Sequence, residues 1–122
     1  MADYKLYCFA QSGNSYKVAM TLKLAGASWE ARWVDFFNGE TRTAAYREEV
    51  NAMGEVPVLE HAGERLIQSG LILHYLAERF GKFGGRNDEE RREILRWILW
   101  DNHKFTSYIA TLRFMQIGRA HV

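Results

Sequence analysis

The spacing of apolar positions at the start of the chain predicts a strand, a helix and a second strand. Tyr4–Phe9 is a mostly apolar run that stops at the turn formers of Gln11–Asn14, which is typical of a buried strand. Ser15 is the expected N-cap of the next helix, in which apolar positions recur at helical spacing until Gly26. Trp29–Phe36 alternates apolar with polar side chains and predicts a second strand. Because a helix joins them, the two strands should lie parallel.

The next part of the chain predicts a short helix, a hairpin and a third helix. Thr43–Val50 is the candidate for the short helix, and Val56–Glu60 and Arg65–Ile67 flank a glycine-containing loop as hairpin strands do. Ser69 is expected to cap a strongly periodic helix that Gly81 ends. The resulting order, βαβαββα, is that of an α/β thioredoxin-like domain.

A glycine-containing linker over residues 82–87 separates this predicted domain, residues 1–81, from a second segment, residues 88–122. Acidic residues in the first turn and continuing helical periodicity predict one long helix over residues 88–116. Its apolar positions cover more than one face of the helix, so it is expected to pack against several neighbours. These positions are Ile94, Leu95, Trp97, Ile98, Trp100, Phe105, Tyr108, Ile109, Leu112 and Phe114.

Composition narrows the class of protein. The 122 residues are 48% hydrophobic and 25% charged, as in ordinary globular domains, and the formal net charge of +1 argues against nucleic-acid binding. No apolar stretch approaches the roughly 20 residues of a membrane span, and the start of the chain lacks the layout of a signal peptide. We therefore expect a cytoplasmic protein. The single Cys8 allows no internal disulfide, and the scattered histidines predict no metal site.

Pro57 is the only proline in the chain and stands at the head of a predicted strand. A trans proline at the start of an edge strand is the commoner arrangement, since only about 5 to 6% of X-Pro bonds are cis. The hairpin that follows, and then Gln68 and Ser69 at a helix start, favour a cis Val56–Pro57 bond here.

Three motifs stand out along the chain, namely Gln11–Val18, Asn51–Leu59 and Gln68–Leu76. Together they resemble the glutathione transferases, and specifically their bacterial, serine-type members. The resemblance covers Tyr4–Phe80 as a glutathione-binding domain and Asp88–Gln116 as the first helix of an all-helical second domain. It implies a transferase that uses glutathione as co-substrate and needs no other cofactor or metal.

The resemblance also implies which residues bind glutathione. The main chain of Val56, turned outward by a cis bond to Pro57, would pair with the peptide backbone of glutathione. Ser69, at a helix start, would bind the γ-glutamyl carboxylate, and Gln68 would add a neutral hydrogen bond. Glu55 departs from the Lys or Gln that is common in the family, so no ligand contact is assigned to it.

Activation of the glutathione thiol is assigned to Ser12, which matches the catalytic serine or threonine of related members, with Asn14 as a second contact. Lowering a thiol pKa of about 8.5 by two units needs about 2.7 kcal/mol of preferential thiolate stabilisation. A hydroxyl donor gives roughly 1.5 to 3 kcal/mol and a helix N-terminus about 0.3 to 2 kcal/mol, so the two together suffice. Tyr7 remains an alternative donor. Without the resemblance, a small polar residue such as Ser12 before a helix would usually be only a loop or cap residue. Cys8, without a second cysteine nearby, is expected to be buried and inert.

These assignments predict that the glutathione thiolate attacks a small electrophile. The resemblance also implies that the complete protein is a homodimer. A glutathione-dependent disulfide reductase and a noncatalytic binding module of the same fold remain alternatives. Asp101 is a candidate contact for the γ-glutamyl amine. Other long-helix residues are assigned to the electrophile pocket, the dimer interface or the core, namely Trp97, Trp100, His103, Lys104, Ser107 and Tyr108.

The end of the chain suggests that the natural protein continues past Gln116. No later segment covers the apolar surface of the long helix, so the 122-residue chain is expected to self-associate. Residues 117–122 also read as the translation of a common sequencing adapter. We therefore expect them to be an artefact of cloning or assembly.

Overall fold

The structure is a computed structural model that describes residues 2–120. Its internal contacts divide the chain into one compact unit that ends at Lys82 and a second that begins at Phe83. The expectation that residues 117–122 are an artefact falls partly on residues outside the described range.

The first unit is built on a four-stranded sheet in the order β2-β1-β3-β4. β1 and β2 are parallel, whereas β3 is antiparallel to both β1 and β4. The strands are β1 Tyr4–Cys8, β2 Trp29–Trp33, β3 Val58–His61 and β4 Glu64–Ile67. The predicted parallel crossover and hairpin are therefore both present, and the thioredoxin-like α/β fold is confirmed.

Three helices flank the sheet. They are α1 Gly13–Ala25, α2 Ala44–Glu49 and α3 Ser69–Phe80, with a 3₁₀ turn over Glu40–Arg42 before α2. α1 packs against α3. Glycines in the left-handed conformation end both α1 and α3, as the sequence predicts.

Successive residues of β1 point to opposite faces of the sheet, so the strand contributes to two cores. Leu6 and Cys8 belong to the core that also contains buried residues of α1 and α3, whereas Tyr7 belongs to the core with Tyr46 of α2. The first core consists of Tyr4, Leu6, Cys8, Val18, Leu22, Leu59, Ile72 and Leu76, and the second of Tyr7, Val34, Tyr46 and Val58.

Several predicted boundaries are wrong by one to three residues. β3 begins at Val58 rather than at Val56, so Val56 and Pro57 precede the strand. The N-cap of α1 is Ser12 rather than Ser15, because the turn after β1 is shorter than expected and the Ser12 side chain already accepts a backbone hydrogen bond. Gln68 occupies the N-cap position of α3, so Ser69 is its first helical residue. β2 ends at Trp33 because its alternating pattern breaks at Val34.

The second unit contains α4 Asp88–Trp100, a π-helical turn over Asp101–Phe105 and α5 Thr106–Ala120. The Asn87 side chain accepts a hydrogen bond from the Glu90 N–H and thereby caps α4, and the acidic first turn suits the helix dipole. The predicted long helix is therefore confirmed, and it contains a π turn in which Thr106 Oγ1 donates to Asp101 Oδ1 at 3.2 Å. Apolar periodicity alone carries no signal for such a turn.

Candidate functional site

Ser12 stands in the turn between β1 and α1, at the C-terminal edge of the parallel strand pair. Its N–H donates to the Phe9 carbonyl at 3.1 Å, and its Oγ accepts a hydrogen bond from the Ser15 N–H at 3.0 Å. Because a hydroxyl has one donor and two acceptor sites, capping α1 uses only an acceptor site. Ser12 therefore caps the helix and keeps its hydroxyl hydrogen for a ligand.

The N-termini of α1 and α3 meet at a hydrogen bond between their side chains. Ser69 Oγ donates to Asn14 Oδ1 at 3.3 Å, across 55 positions of sequence. Both helices begin here, so the positive ends of their two dipoles lie at this place and favour a bound anion. The structure thus brings together three residues that the sequence assigned to one site, namely Ser12, Asn14 and Ser69.

Gln68 has an unusual backbone conformation directly before α3, with φ 76° and ψ 112°. This conformation is sparsely populated for residues other than glycine, and such strain is often found at functional sites. The Gln68 side chain is exposed and makes no capping bond to α3. Its amide group is therefore free to face a ligand at the helix start.

The loop before β3 places the main chain of Val56 beside Pro57, and the Val56–Pro57 bond is cis. Two side chains hold this loop from the inside. Tyr46 Oη donates to the Glu55 carbonyl at 2.8 Å, and Asn51 Nδ2 donates to the same oxygen at 3.1 Å. Asn51 Oδ1 also accepts a hydrogen bond from the Met53 N–H at 2.9 Å, which closes the turn.

Sequence reasoning missed Tyr46 and the side-chain role of Asn51. The pattern Asn51 followed by Gly54 is typical of a turn and could have suggested that the asparagine closes it. Tyr46 gave no comparable signal, because an aromatic residue in a short helix usually serves the core. Tyr46 does pack in the core, and only the three-dimensional structure places its hydroxyl at the loop.

Tyr7 is poorly placed to compete with Ser12. Its side chain is only 7% exposed and packs in the core beside α2, and its hydroxyl donates to Glu60 Oε2 at 3.3 Å. Lys5 Nζ lies 5.3 Å from the centre of its ring. The hydroxyl is thus directed across the sheet toward Glu60, away from the turn that carries Ser12.

Cys8 and Ser15 are both buried close to the turn that carries Ser12, and neither is placed to act on a ligand. Burial raises the pKa of the Cys8 thiol, which keeps it protonated and weakly nucleophilic, as expected from its position in an apolar strand. The Ser15 hydroxyl is buried and lacks a hydrogen-bond partner among residues 2–120. Ser15 contributes its N–H to the cap of α1, so its predicted capping role is reversed.

Within the described part of the chain, no group of three or more His, Cys, Asp or Glu side chains could hold a metal ion. The same residues include no helix with the length and apolarity needed to cross a membrane.

Comparison with known proteins gives the family. Residues 2–78 match the family model described as glutathione S-transferase, N-terminal domain. The chain belongs to the glutathione S-transferase family. A glutathione S-transferase of Arabidopsis thaliana is 33% identical over 118 residues, which is 92% of this chain and 46% of that protein. A maleylacetoacetate isomerase of Pseudomonas aeruginosa is 40% identical over 62% of this chain and 37% of its own length. The chain thus spans less than half the length of these relatives.

Another relative is named for a different reaction, the disulfide-bond oxidoreductase YghU of Escherichia coli. It is 32% identical over 66% of this chain and 29% of its own length. The relatives of this chain therefore differ in the reactions for which they are named.

Solved structures of the family have the same fold. A glutathione S-transferase from Pseudomonas fluorescens has a TM-score of 0.86 at 34% identity, with 98% of this chain and 59% of that chain covered. A theta class glutathione S-transferase from Xanthomonas axonopodis, solved with glutathione bound, has a TM-score of 0.80 at 27% identity, covering 88% of this chain and 52% of that one.

Proposed function

We propose that this chain carries the glutathione site of a glutathione transferase that activates the glutathione thiol for attack on an electrophile. The observation that carries the proposal is the hydrogen bond between Asn14 and Ser69, which joins two helix N-termini beside the Ser12 hydroxyl. Glutathione offers two groups that such a place stabilises, a carboxylate and an ionisable thiol. Membership of the family and the glutathione-bound relative support the same ligand.

The carboxylate end is assigned to α3. The N–H groups of the first turn are donors for the γ-glutamyl carboxylate, and the helix dipole adds a favourable field. The Ser69 hydroxyl has one hydrogen, so it donates to the carboxylate by turning from Asn14 Oδ1, its acceptor in this structure, to the ligand. Gln68 contributes a neutral hydrogen bond from its exposed amide. The bond to Asn14 holds the Ser69 side chain at this helix start before the ligand binds, and the assignment of Asn14 as a thiol contact stays a prediction.

The thiol end is assigned to Ser12. Its hydroxyl donates a hydrogen bond to the thiolate, and this bond lowers the pKa of the bound thiol. The thiol therefore loses its proton to solvent and becomes a nucleophile. The thiolate then forms a carbon–sulfur bond with the electrophile, and the leaving group departs with the electrons of the bond that breaks. A helix cap and a thiolate donor use different sites on one hydroxyl, so Ser12 performs both functions.

Disulfide reduction is the second candidate, because one relative is named as a disulfide-bond oxidoreductase. The same thiolate would attack a sulfur atom of a mixed disulfide and form a new S–S bond, while the original S–S bond breaks and its other sulfur leaves as a thiolate. Carbon and sulfur electrophiles therefore distinguish the two activities at one site. The electrophile itself, the homodimer, the cytoplasmic location and the role of Asp101 stay predictions.

Binding of glutathione to the 122-residue chain should generate the ultraviolet absorbance of a thiolate at pH values where free glutathione is still protonated. Ionisation of Cys8 should not interfere, because burial raises the pKa of its thiol. Conversion of an aryl halide supports the transferase, and reduction of a glutathione mixed disulfide supports the reductase. Binding without any thiolate signal would support the noncatalytic alternative, and absence of binding would contradict the whole proposal.

Replacing Ser69 with alanine should weaken glutathione binding by about 1 to 3 kcal/mol, because a hydrogen bond to a charged carboxylate is lost. Calorimetry measures the affinity, and circular dichroism checks that the fold is intact. Ser28→Ala is the matched control, since Ser28 is an exposed serine outside the site. Equal affinities of the Ser69 and Ser28 variants would reduce Ser69 to a structural residue of α3.

A further inference from the structure

The carbonyl group of Glu55 accepts two hydrogen bonds from the interior of the protein. Tyr46 Oη lies 2.8 Å and Asn51 Nδ2 lies 3.1 Å from this oxygen. Both donors belong to buried residues, 3% and 5% exposed respectively. Because a carbonyl oxygen has two lone pairs, both of its acceptor sites are occupied and its direction is fixed toward the interior.

The same peptide unit contains the N–H of Val56. A trans peptide is planar, and its N–H points opposite to its C=O. Fixing the Glu55 oxygen inward therefore directs the Val56 N–H outward. Within residues 2–120, no hydrogen bond joins this N–H to another group of the chain. Val56 is half-buried, and an N–H that lacks a protein partner is available as a donor to a ligand or to water.

We propose that Tyr46 and Asn51 are positioning residues that hold the Glu55–Val56 peptide unit in the orientation in which the Val56 N–H donates to the main-chain carbonyl of glutathione. This inference rests on the proposed function. It adds to that function two residues that do not touch the ligand themselves. They act by reducing the number of orientations that the peptide unit samples before the ligand arrives.

Tyr46 is itself well anchored for such a function. Its ring packs with Tyr7, Val34 and Val58, and its N–H donates to Thr43 Oγ1 at 3.1 Å at the start of α2. Burial, followed by the negative charge of Glu40, raises the pKa of Tyr46 to about 12. The phenol therefore remains protonated, and able to donate, throughout the pH range in which a glutathione thiol ionises.

Tyr46→Phe tests the inference, because it removes the donor and leaves the ring in place. The Kd of S-methylglutathione, which cannot form a thiolate, should rise about three- to tenfold, the effect of losing one neutral hydrogen bond that selects the binding orientation. With glutathione, KM should rise by the same factor, while kcat and the pKa of the bound thiol stay unchanged. Tyr75→Phe is the matched control, since it removes a tyrosine hydrogen bond to His61 instead.

The outcomes separate this inference from the proposed function. A larger Kd for Tyr46→Phe than for Tyr75→Phe, at equal loss of unfolding free energy, supports the positioning role. Equal Kd values in the two variants would overturn it and leave the proposed function intact. A wild-type chain that does not bind S-methylglutathione would overturn both.

A second variant covers the case in which Tyr46→Phe does not fold. Asn51→Ser retains an oxygen that can close the turn onto the Met53 N–H, but it lacks the amide that reaches Glu55. It should raise the same Kd, and an unchanged Kd would overturn the inference.

Discussion

Replacing Ser12 with alanine is expected to raise the pKa of bound glutathione by about one to two units. A hydroxyl that donates to a charged group contributes roughly 1.5 to 3 kcal/mol, and each pKa unit corresponds to about 1.36 kcal/mol. Below the wild-type pKa of the bound thiol, the thiolate fraction and the rate of conjugation should therefore fall about 10- to 100-fold. At such a pH the affinity for glutathione should change little, because glutathione then binds mainly as the thiol. A pH titration of thiolate absorbance measures the shift.

The capping role of Ser12 requires a control, since loss of an N-cap costs about 0.5 to 2 kcal/mol of stability by itself. Ser12→Asp provides it. Aspartate accepts the Ser15 N–H and caps α1, but its ionised carboxylate has no hydrogen to donate. It should restore stability and still leave the thiol pKa high. If the thiolate titration is unchanged in both variants, Ser12 is a cap only, and the thiol contact belongs to another residue.

Gly54→Ala should destabilise the first unit by about 2 to 5 kcal/mol, the sum of backbone strain and overpacking. Gly54 has a φ of 66°, and a Cβ atom there would lie 2.8 Å from the Thr41 carbonyl oxygen and 2.7 Å from the Arg47 guanidinium. The Arg47 side chain can move away, whereas the Thr41 main chain cannot do so without disturbing the start of α2. Urea unfolding measures the difference.

Gly63→Ala is the matched control for Gly54→Ala. Gly63 has a φ of 80° in the β3–β4 turn, and a Cβ atom there would meet nothing within 4 Å. This substitution therefore introduces the backbone strain alone, about 1 to 2 kcal/mol. Equal losses of unfolding free energy in the two variants would contradict the close packing of Gly54 against Thr41.

The order of strands and helices in the first unit could be predicted because each element carries its own local signal. The glycines at the ends of α1 and α3 and the alternation in β2 are readable within a few residues. Exact helix starts were not readable in this way. Ser12 and Ser15 are both good N-cap residues, and the length of the turn after β1 decides between them.

The site was predictable only as far as its residues belong to motifs. The bond between Asn14 and Ser69 depends on how α1 packs against α3, which the sequence of neither helix specifies. The contact of Tyr46 with Glu55 likewise depends on the position of α2 against the sheet. The resemblance to the glutathione transferases predicts which residues face the ligand. The contacts of Tyr46 and Asn51 with the Glu55 carbonyl became visible only in the structure.

The pairing of β1 has a consequence for synthesis on the ribosome. β1 pairs with β2, which ends at Trp33, on one edge, and with β3, which ends at His61, on the other. The ribosome synthesises the chain from its N-terminus, so β1 can pair with β2 before β3 has been made. Until then, the other edge of β1 has no partner strand. At about 5 to 20 residues per second, this interval lasts a few seconds. During that time an apolar central strand presents its unpaired edge to other nascent chains, so this is the stage at which a chaperone would protect the protein most.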